Sequence, residues 1–284
     1  VVLALFALAA PAAARPDAPA GRWAEVRVPV PAAFAGGKAA RGRMLVYVPR
    51  SRGAAPAPLV IALHGWNGRA EDWQRGPELA ALAERHGVVV ACPDTGKSVF
   101  ESRFYPESRG RWSRVPGAVF VGAVVLPYLR AHYPVRQDRA GSAIIGYSTG
   151  GRGALVVARR YPDFGFAASL SGTYELGLLR PSEGEYKIHA VVFGPRDRWP
   201  ERWRDEDVVA AGRLEPLRRM GLYLAHGGGD KVVGVSQLRA MERYLVAHQV
   251  PAQIIVAPAA GHEWRFWASQ LEAVFAAFRA APGG

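Results

Sequence analysis

The chain has 284 residues, half of them hydrophobic and 21% charged, and its 36 basic against 24 acidic side chains give a formal net charge of +12. So large an apolar share excludes disorder as the dominant state, the single cysteine (Cys92) excludes an internal disulfide framework, and no apolar run reaches the roughly 20 residues of a bilayer-spanning helix. Nucleic acid is not an expected partner, because 32 of the 36 basic residues are arginine and they are scattered, in runs no longer than pairs such as Arg159-Arg160.

In chain order, Val1 to Ala10 is uninterruptedly apolar, and Ala12 and Ala14 follow in the small-x-small arrangement read by a signal peptidase. Residues 1–14 are therefore expected to be the remains of a signal peptide, 15–22 a disordered leader, and the protein secreted or periplasmic; the alternative is a buried N-terminal helix. A single α/β catalytic domain over 23–281 is expected to follow. Glu25 to Val30 and Met44 to Val48 read as two leading antiparallel strands. Leu59 to Leu63 is a short buried strand ending at His64-Gly65, and Glu78 to His86 has helical spacing stopped by Gly87. Val88 to Cys92 is a further strand, expected to stop at Pro93. A helix over Phe120 to His132 leads to strand Ser142 to Ile145, helix Gly151 to Arg160 and strand Phe166 to Leu170. Strand Leu222 to Ala225, helix Ser236 to His248, strand Gln253 to Val256 and helix Trp264 to Phe278 complete the pattern. Apolar strands alternating with amphipathic helices predict a mostly parallel twisted sheet with helices on both faces. Thr95 to Gly117 and Ser171 to Arg219 break the alternation and read as insertions at about 95–117 and 171–219, at one end of the sheet.

The chemistry centres on Gly146-Tyr147-Ser148-Thr149-Gly150, a G-x-S-x-G between a predicted strand and a predicted helix. A serine at such a turn takes a strained backbone and projects its hydroxyl above the sheet, beside helix N-terminal amides that favour an anion. Its base must be one of seven histidines. His86, His132 and His248 fall on helices, His189 begins the apolar run Ala190 to Phe193 and reads as structural, and His64 and His226 end strands and could line the cleft. His262, in Gly261-His262-Glu263-Trp264 between the last strand and the last helix, is best placed to reach over the sheet. The carboxylate that orients it should lie between Ser148 and His262 in the chain. Asp230, after strand Leu222 to Ala225 and the run His226-Gly227-Gly228-Gly229, is the first choice and Asp197 its rival. Asp205 and Asp207 look like first-turn helix residues explained by the helix dipole. Oxyanion donors are expected from the amides of Thr149 and, in the loop His64-Gly65-Trp66-Asn67-Gly68, of Trp66.

These segments, with Gly151-Arg152-Gly153-Ala154-Leu155, Tyr161-Pro162-Asp163 and Ser169-Leu170-Ser171-Gly172, resemble the esterase-D-like branch of the α/β-hydrolases, which includes feruloyl and acetylxylan esterases, formylglutathione hydrolases and mycolyltransferases. The match runs from about Met44 to Phe278; Thr149 departs from it, standing where the branch commonly has methionine. The resemblance implies an α/β-hydrolase fold and a serine esterase with no metal or organic cofactor, acting through Ser148, His262 and Asp230. Trp66, Tyr147, Trp112 and Trp264 are the expected substrate contacts. Phe100, Phe104, Tyr105, Trp112, Trp199 and Trp203 either form an aromatic rim for a sugar or phenolic group, beside Arg103, Arg109 and Arg111, or simply pack the long loops. The expected substrate is a short-chain or polysaccharide-linked (acetyl or feruloyl) ester. An acyltransferase of the mycolyltransferase type and a non-catalytic binding protein on the same fold are the alternatives.

Overall fold

The computed structural model describes residues 20–76, 78–105, 115–210, 212 and 215–281. The expected signal segment, most of the expected leader, and Trp112, Arg109 and Arg111 lie outside the described residues. Eight strands form one sheet: β1 (Trp23–Val30), β2 (Ala40–Tyr47), β3 (Leu59–Leu63), β4 (Val89–Asp94), β5 (Ser142–Tyr147), β6 (Phe166–Leu170), β7 (Gly221–Gly227) and β8 (Gln253–Ala257). Their order is β1-β2-β4-β3-β5-β6-β7-β8; the β1–β2 and β2–β4 pairs are antiparallel and the rest parallel.

The helices are α1 (Asp72–Arg75), α2 (Glu78–His86), a continuous α3 made of Gly117–Val119, Phe120–Val125 and Leu126–His132, α4 (Thr149–Arg160), α5 (Gly184–Phe193), α6 (Pro200–Glu206), α7 (Glu215–Arg218), α8 (Ser236–Ala247) and α9 (Trp264–Ala280). The pleat sends Leu59, Ile61 and Leu63 of β3 to one face, against α3, α4 and α8. Val60 and Ala62 go to the other, against α2 and α9. Each buried large aliphatic or aromatic side chain contributes about 1.5–3 kcal/mol, so the two cores together fix the sheet and hence the strand ends on which the site stands.

Three expectations are corrected. Pro93 does not stop β4: the strand continues to Asp94, pairing Pro93 with Met44 of β2. Pairing with β3 has already ended at Ala91, so a missing amide is tolerated there. Helix α3 starts earlier than expected and is π-helical over Phe120–Val125, just before Pro127, which has no amide to give the regular ladder. Asp205 and Asp207 sit at the C-terminal end of α6, not in a first turn. Asp207 is buried and organises the loop beyond, accepting the amides of Leu176, Val209 and Ala210.

The two irregular stretches pack on each other. Val99 and Tyr105 from the first join Leu176, Leu179, Val192, Phe193 and Trp203 from the second in a third, small apolar core. Phe100, Tyr105 and Trp203 are buried, so these aromatics pack the loops instead of forming a rim. Two buried arginines of α4 fasten this cap to the sheet. Arg152 donates to the carbonyls of Val99 and Glu206, and Arg159 to those of Asp207 and Val208.

Candidate active site

Strand β5 ends at Tyr147 and α4 begins at Thr149, so Ser148 alone makes the turn, with φ 56° and ψ −126°. That left-handed backbone is costly for a residue with a side chain. It is held by the Ser148 amide, which donates to Leu170 O at 2.8 Å, and by the Ser148 carbonyl, which accepts from the Arg152 amide at 3.1 Å. The sharpness of the turn brings α4 down on the end of β3: a Cβ at Gly150 would lie 2.3 Å from Leu63 O and 2.6 Å from His64 O. The loop leaving β3 then passes beside the serine, where a Cβ on Gly65 would come within 3.2 Å of Ser148 Cβ. Glycine is needed at position 150 for the backbones to approach, while at position 65 a side chain would have to press the Tyr147 ring and Ser148 aside.

Asp230 and His262 come from neighbouring loops beyond β7 and β8. Those loops are stitched together by the Gly228 amide donating to Ala257 O at 2.8 Å and the Gly229 amide to Ala260 O at 3.0 Å. His262 Nδ1 lies 2.7 Å from Asp230 Oδ2, and Nε2 lies 2.9 Å from Ser148 Oγ. A carboxylate accepts, so Nδ1–H donates to Asp230, and Nε2 is left to accept the Ser148 hydroxyl proton. The other oxygen, Asp230 Oδ1, accepts the amides of Val232 and Val233, each at 2.9 Å. Burial alone would raise the Asp230 carboxyl. The hydrogen bond and charge of His262, with the two amides, outweigh it and hold the group below its ordinary range. Trp267 meets the His262 ring edge-on, with centroids 5.0 Å apart, and donates its indole N–H to Ser171 Oγ at 3.1 Å.

Two histidines support the site from behind. His64 is buried; its Nδ1–H donates to Gly65 O at 2.7 Å and its Nε2 accepts the Thr95 amide at 3.1 Å, which pins the loop carrying Trp66. Burial keeps it neutral by lowering its pKa. His226 is also buried and donates from Nε2 to Val233 O at 2.9 Å, bracing the segment whose amides hold Asp230. Neither lines the cleft.

A cavity of about 690 Å³ opens above Ser148 and His262. Trp66 and Tyr147, both expected substrate contacts, line it. Tyr147 is mainly a floor: its ring stacks on Trp267 and its hydroxyl donates to Asp72 Oδ2 at 3.0 Å. Trp264 does not line the cavity; it packs edge-on against Trp73 and Tyr147, and Trp267, one turn further along α9, takes the place at the wall. Asp197 is exposed, has no bond to this cluster and, among the described residues, accepts only its neighbour's amide. Thr149 is the first residue of α4, so its amide has no partner within the helix. Glu185, Lys231 and Asp72 also line the cavity and were not singled out in the sequence. Lys231 follows Asp230 directly, a neighbour signal that was available; Glu185 lies in an insertion with no periodic marker. Among the described residues, no group of three or more His, Cys, Asp or Glu side chains gathers as a metal site.

The model of the Esterase family, described as "Putative esterase", matches residues 40–278. A diacylglycerol acyltransferase/mycolyltransferase Ag85A of Mycobacterium ulcerans is 27% identical over 252 residues, 78% of this chain and 73% of the relative. An acetyl esterase of Caldicellulosiruptor saccharolyticus is 25% identical over 214 residues, 72% of this chain and 77% of the relative. Among solved structures, FphF, a fluorophosphonate-binding serine hydrolase of Staphylococcus aureus, superposes with a TM-score of 0.72 at 17% identity, covering 92% of this chain and 99% of its own. The similarity in structure is that of the α/β-hydrolase fold.

Proposed function

The chain belongs to the Esterase family and is a serine hydrolase acting on ester bonds; from that premise we propose that it is an exported carboxylesterase working through Ser148, His262 and Asp230. The contacts of 2.9 Å from Ser148 Oγ to His262 Nε2 and 2.7 Å from His262 Nδ1 to Asp230 Oδ2 are the observation that carries the reading. As the Ser148 oxygen attacks the ester carbonyl, Nε2 takes its proton and Asp230 stabilises the imidazolium that results. The amides of Thr149 and Trp66 meet the oxyanion of the tetrahedral intermediate. Nε2 then gives its proton to the departing alcohol, leaving an acyl-enzyme on Ser148. Water, deprotonated by the same nitrogen, releases the acid. No further proton carrier is needed, because His262 alternates between base and acid.

The substrate proposed is a short-chain ester or an acetyl or feruloyl ester on a polysaccharide. The acetyl esterase relative supports it, and so does a cavity whose wall mixes aromatic with charged side chains. Export rests on the apolar run Val1 to Ala10 and the Ala12-x-Ala14 pattern. The mycolyltransferase relative favours a second reading, transfer of the acyl group from Ser148 to an alcohol acceptor. One experiment addresses all of these. A chain-length series of nitrophenyl esters, with acetylated xylan and methyl ferulate, is run with and without an alcohol acceptor after fluorophosphonate labelling has been checked. Labelling and turnover that vanish in Ser148→Ala are expected. Labelling absent from the wild-type chain would instead make it a binding protein on an esterase fold, and acceptor ester as the main product would make it a transferase.

A further inference from the structure

We propose that Glu185 is a specificity-determining residue, the point at which this site recognises a hydroxyl group on its ester substrate. The inference rests on the esterase reading above and adds a recognition element from the cap. Glu185 stands near the start of α5, is 6% exposed, and lines the same cavity as Ser148 and His262. Its Oε2 accepts the Thr173 hydroxyl at 2.7 Å. No described residue hydrogen-bonds to Oε1, so a nearly buried carboxyl at the cavity wall has one oxygen unused.

Nor does a cation neutralise it. His189 Nδ1 is 3.8 Å from Oε2, but its proton goes to the Glu185 backbone carbonyl at 2.8 Å. Burial also pushes the His189 pKa down to about 3, so that ring is neutral. Arg152 is committed to the carbonyls of Val99 and Glu206. Oε1 is open to the solvent of the cavity, and a ligand that covers it without offering a hydrogen bond is disfavoured against one that does.

The chemistry of that partner follows from the surroundings. Burial raises the Glu185 carboxyl, and the nearby charges of His262 and Arg152 only partly oppose this. An ammonium group would need the carboxylate form. It would also have to enter a cavity lined by Lys231 and Arg69, neither of which has a side-chain ion pair among the described residues, on a chain of net charge +12. An ether or carbonyl would need the protonated form. A hydroxyl donates to the carboxylate and accepts from the acid, so it alone is satisfied in both states. Because α5 belongs to the cap, the contact comes from a different part of the molecule than the reacting groups.

The test uses two substrate pairs, since the hydroxyl can sit on either half of the ester: 2-hydroxyethyl butyrate against propyl butyrate, and nitrophenyl 3-hydroxybutyrate against nitrophenyl 3-methylbutyrate. In one pair the wild-type kcat/KM is expected to favour the hydroxylated ester by about tenfold or more. Glu185→Met, of similar volume without a hydrogen-bonding group, should bring that ratio to within about twofold, and Glu185→Gln, which still donates and accepts, should keep it within about threefold of wild type. No preference in either pair, a preference that survives in the Met variant, or one lost in the Gln variant overturns the proposal. If the Met variant does not fold, Glu185→Leu, which also lacks a hydrogen-bonding group, is read in its place. Failure of the esterase reading looks different: neither pair is turned over and Ser148 takes no fluorophosphonate.

Discussion

The wound sheet and the cap over it are held by opposite means. In the sheet, β3, β5 and β6 are buried along their whole lengths, and apolar side chains alternate between two large cores. In the cap the apolar cluster is small, and much of the fastening is ionic or polar. Arg152 and Arg159 reach up from α4 to cap carbonyls, and Glu206 Oε1 gathers the Ser102 amide, the Ser102 hydroxyl and the Tyr105 hydroxyl. Apolar burial is strong but without direction, whereas hydrogen bonds fix orientation. A sheet of the first kind can set three loop ends to within hydrogen-bonding distance. A cap of the second kind can hold a single carboxyl, Glu185, at a chosen place on the cavity wall.

The comparison predicts that the largest losses of turnover fall at the sheet's rim. Ser148→Ala or His262→Ala should lower kcat by about 10⁴–10⁶, and combining them should add little, because the group acts as a unit. Asp230→Asn should cost about 10⁴ by placing the His262 proton on the wrong nitrogen. Steady-state hydrolysis of a nitrophenyl ester, with fluorophosphonate labelling as a second measure, checks all three. A cap substitution that matched these losses without unfolding the protein would break the division of labour.

The same division explains what could be read from the sequence. Short continuous apolar runs such as Leu59 to Leu63 and period-3.6 helices such as Ser236 to Ala247 report burial on a sheet, and G-x-S-x-G reports a turn that few other residues could make. Ser148, Asp230 and His262 are all anchored to such elements, so their convergence followed from strand ends and chain order. The cap offered no such signal. Helix α5 carries Glu185, Lys187 and His189 among apolar residues, and the structure buries Glu185 and His189 through partners that lie far off in the chain or arise only in the folded helix. Arg152 stood in a segment that resembles the family, and nothing in the sequence marked it as buried before the fold placed two carbonyls in front of it. Trp264 and Trp267 shared the helical period, and only the packing of Trp73 decided which of them faced the cavity.

Arg152 sharpens the comparison from the other side. Its guanidinium is wholly buried and 4.0 Å from Glu206 Oε2, and burial lowers its pKa against the pull of Glu206. Arg152→Met removes the hydrogen bonds to Val99 and Glu206 and leaves the Glu206 carboxyl without its cation, so a loss of about 3–5 kcal/mol is expected. Urea unfolding measures it. If the cap depends on this link, limited proteolysis should cut between about residues 171 and 210 before the sheet unfolds. Adding Glu206→Gln should recover part of the loss, because the charge left stranded is then gone.

The last effect concerns pH, and it sets two residues of one cap helix against each other. Burial holds His189 at a pKa of about 3 against an ordinary 6.5, so between those values the unfolded chain binds a proton that the folded one refuses. Stability is then complete above about pH 6.5 and falls as the pH is lowered toward 3, by up to about 1.4 kcal/mol per pH unit. Glu185 has the opposite sign. Its folded pKa is raised above 4.5, so above that value the folded state keeps a proton the unfolded state has lost, and its contribution falls as the pH rises. His64 and His226, both lowered by burial, act in the direction of His189 from the sheet side. Urea midpoints between pH 4 and 6.5 should therefore rise less steeply in His189→Leu than in the wild type, and more steeply in Glu185→Gln. An unchanged slope in the first variant would mean that His189 is charged in the folded cap. Its buried Nε2, which has no partner among the described residues, would then carry a proton with nothing to accept it.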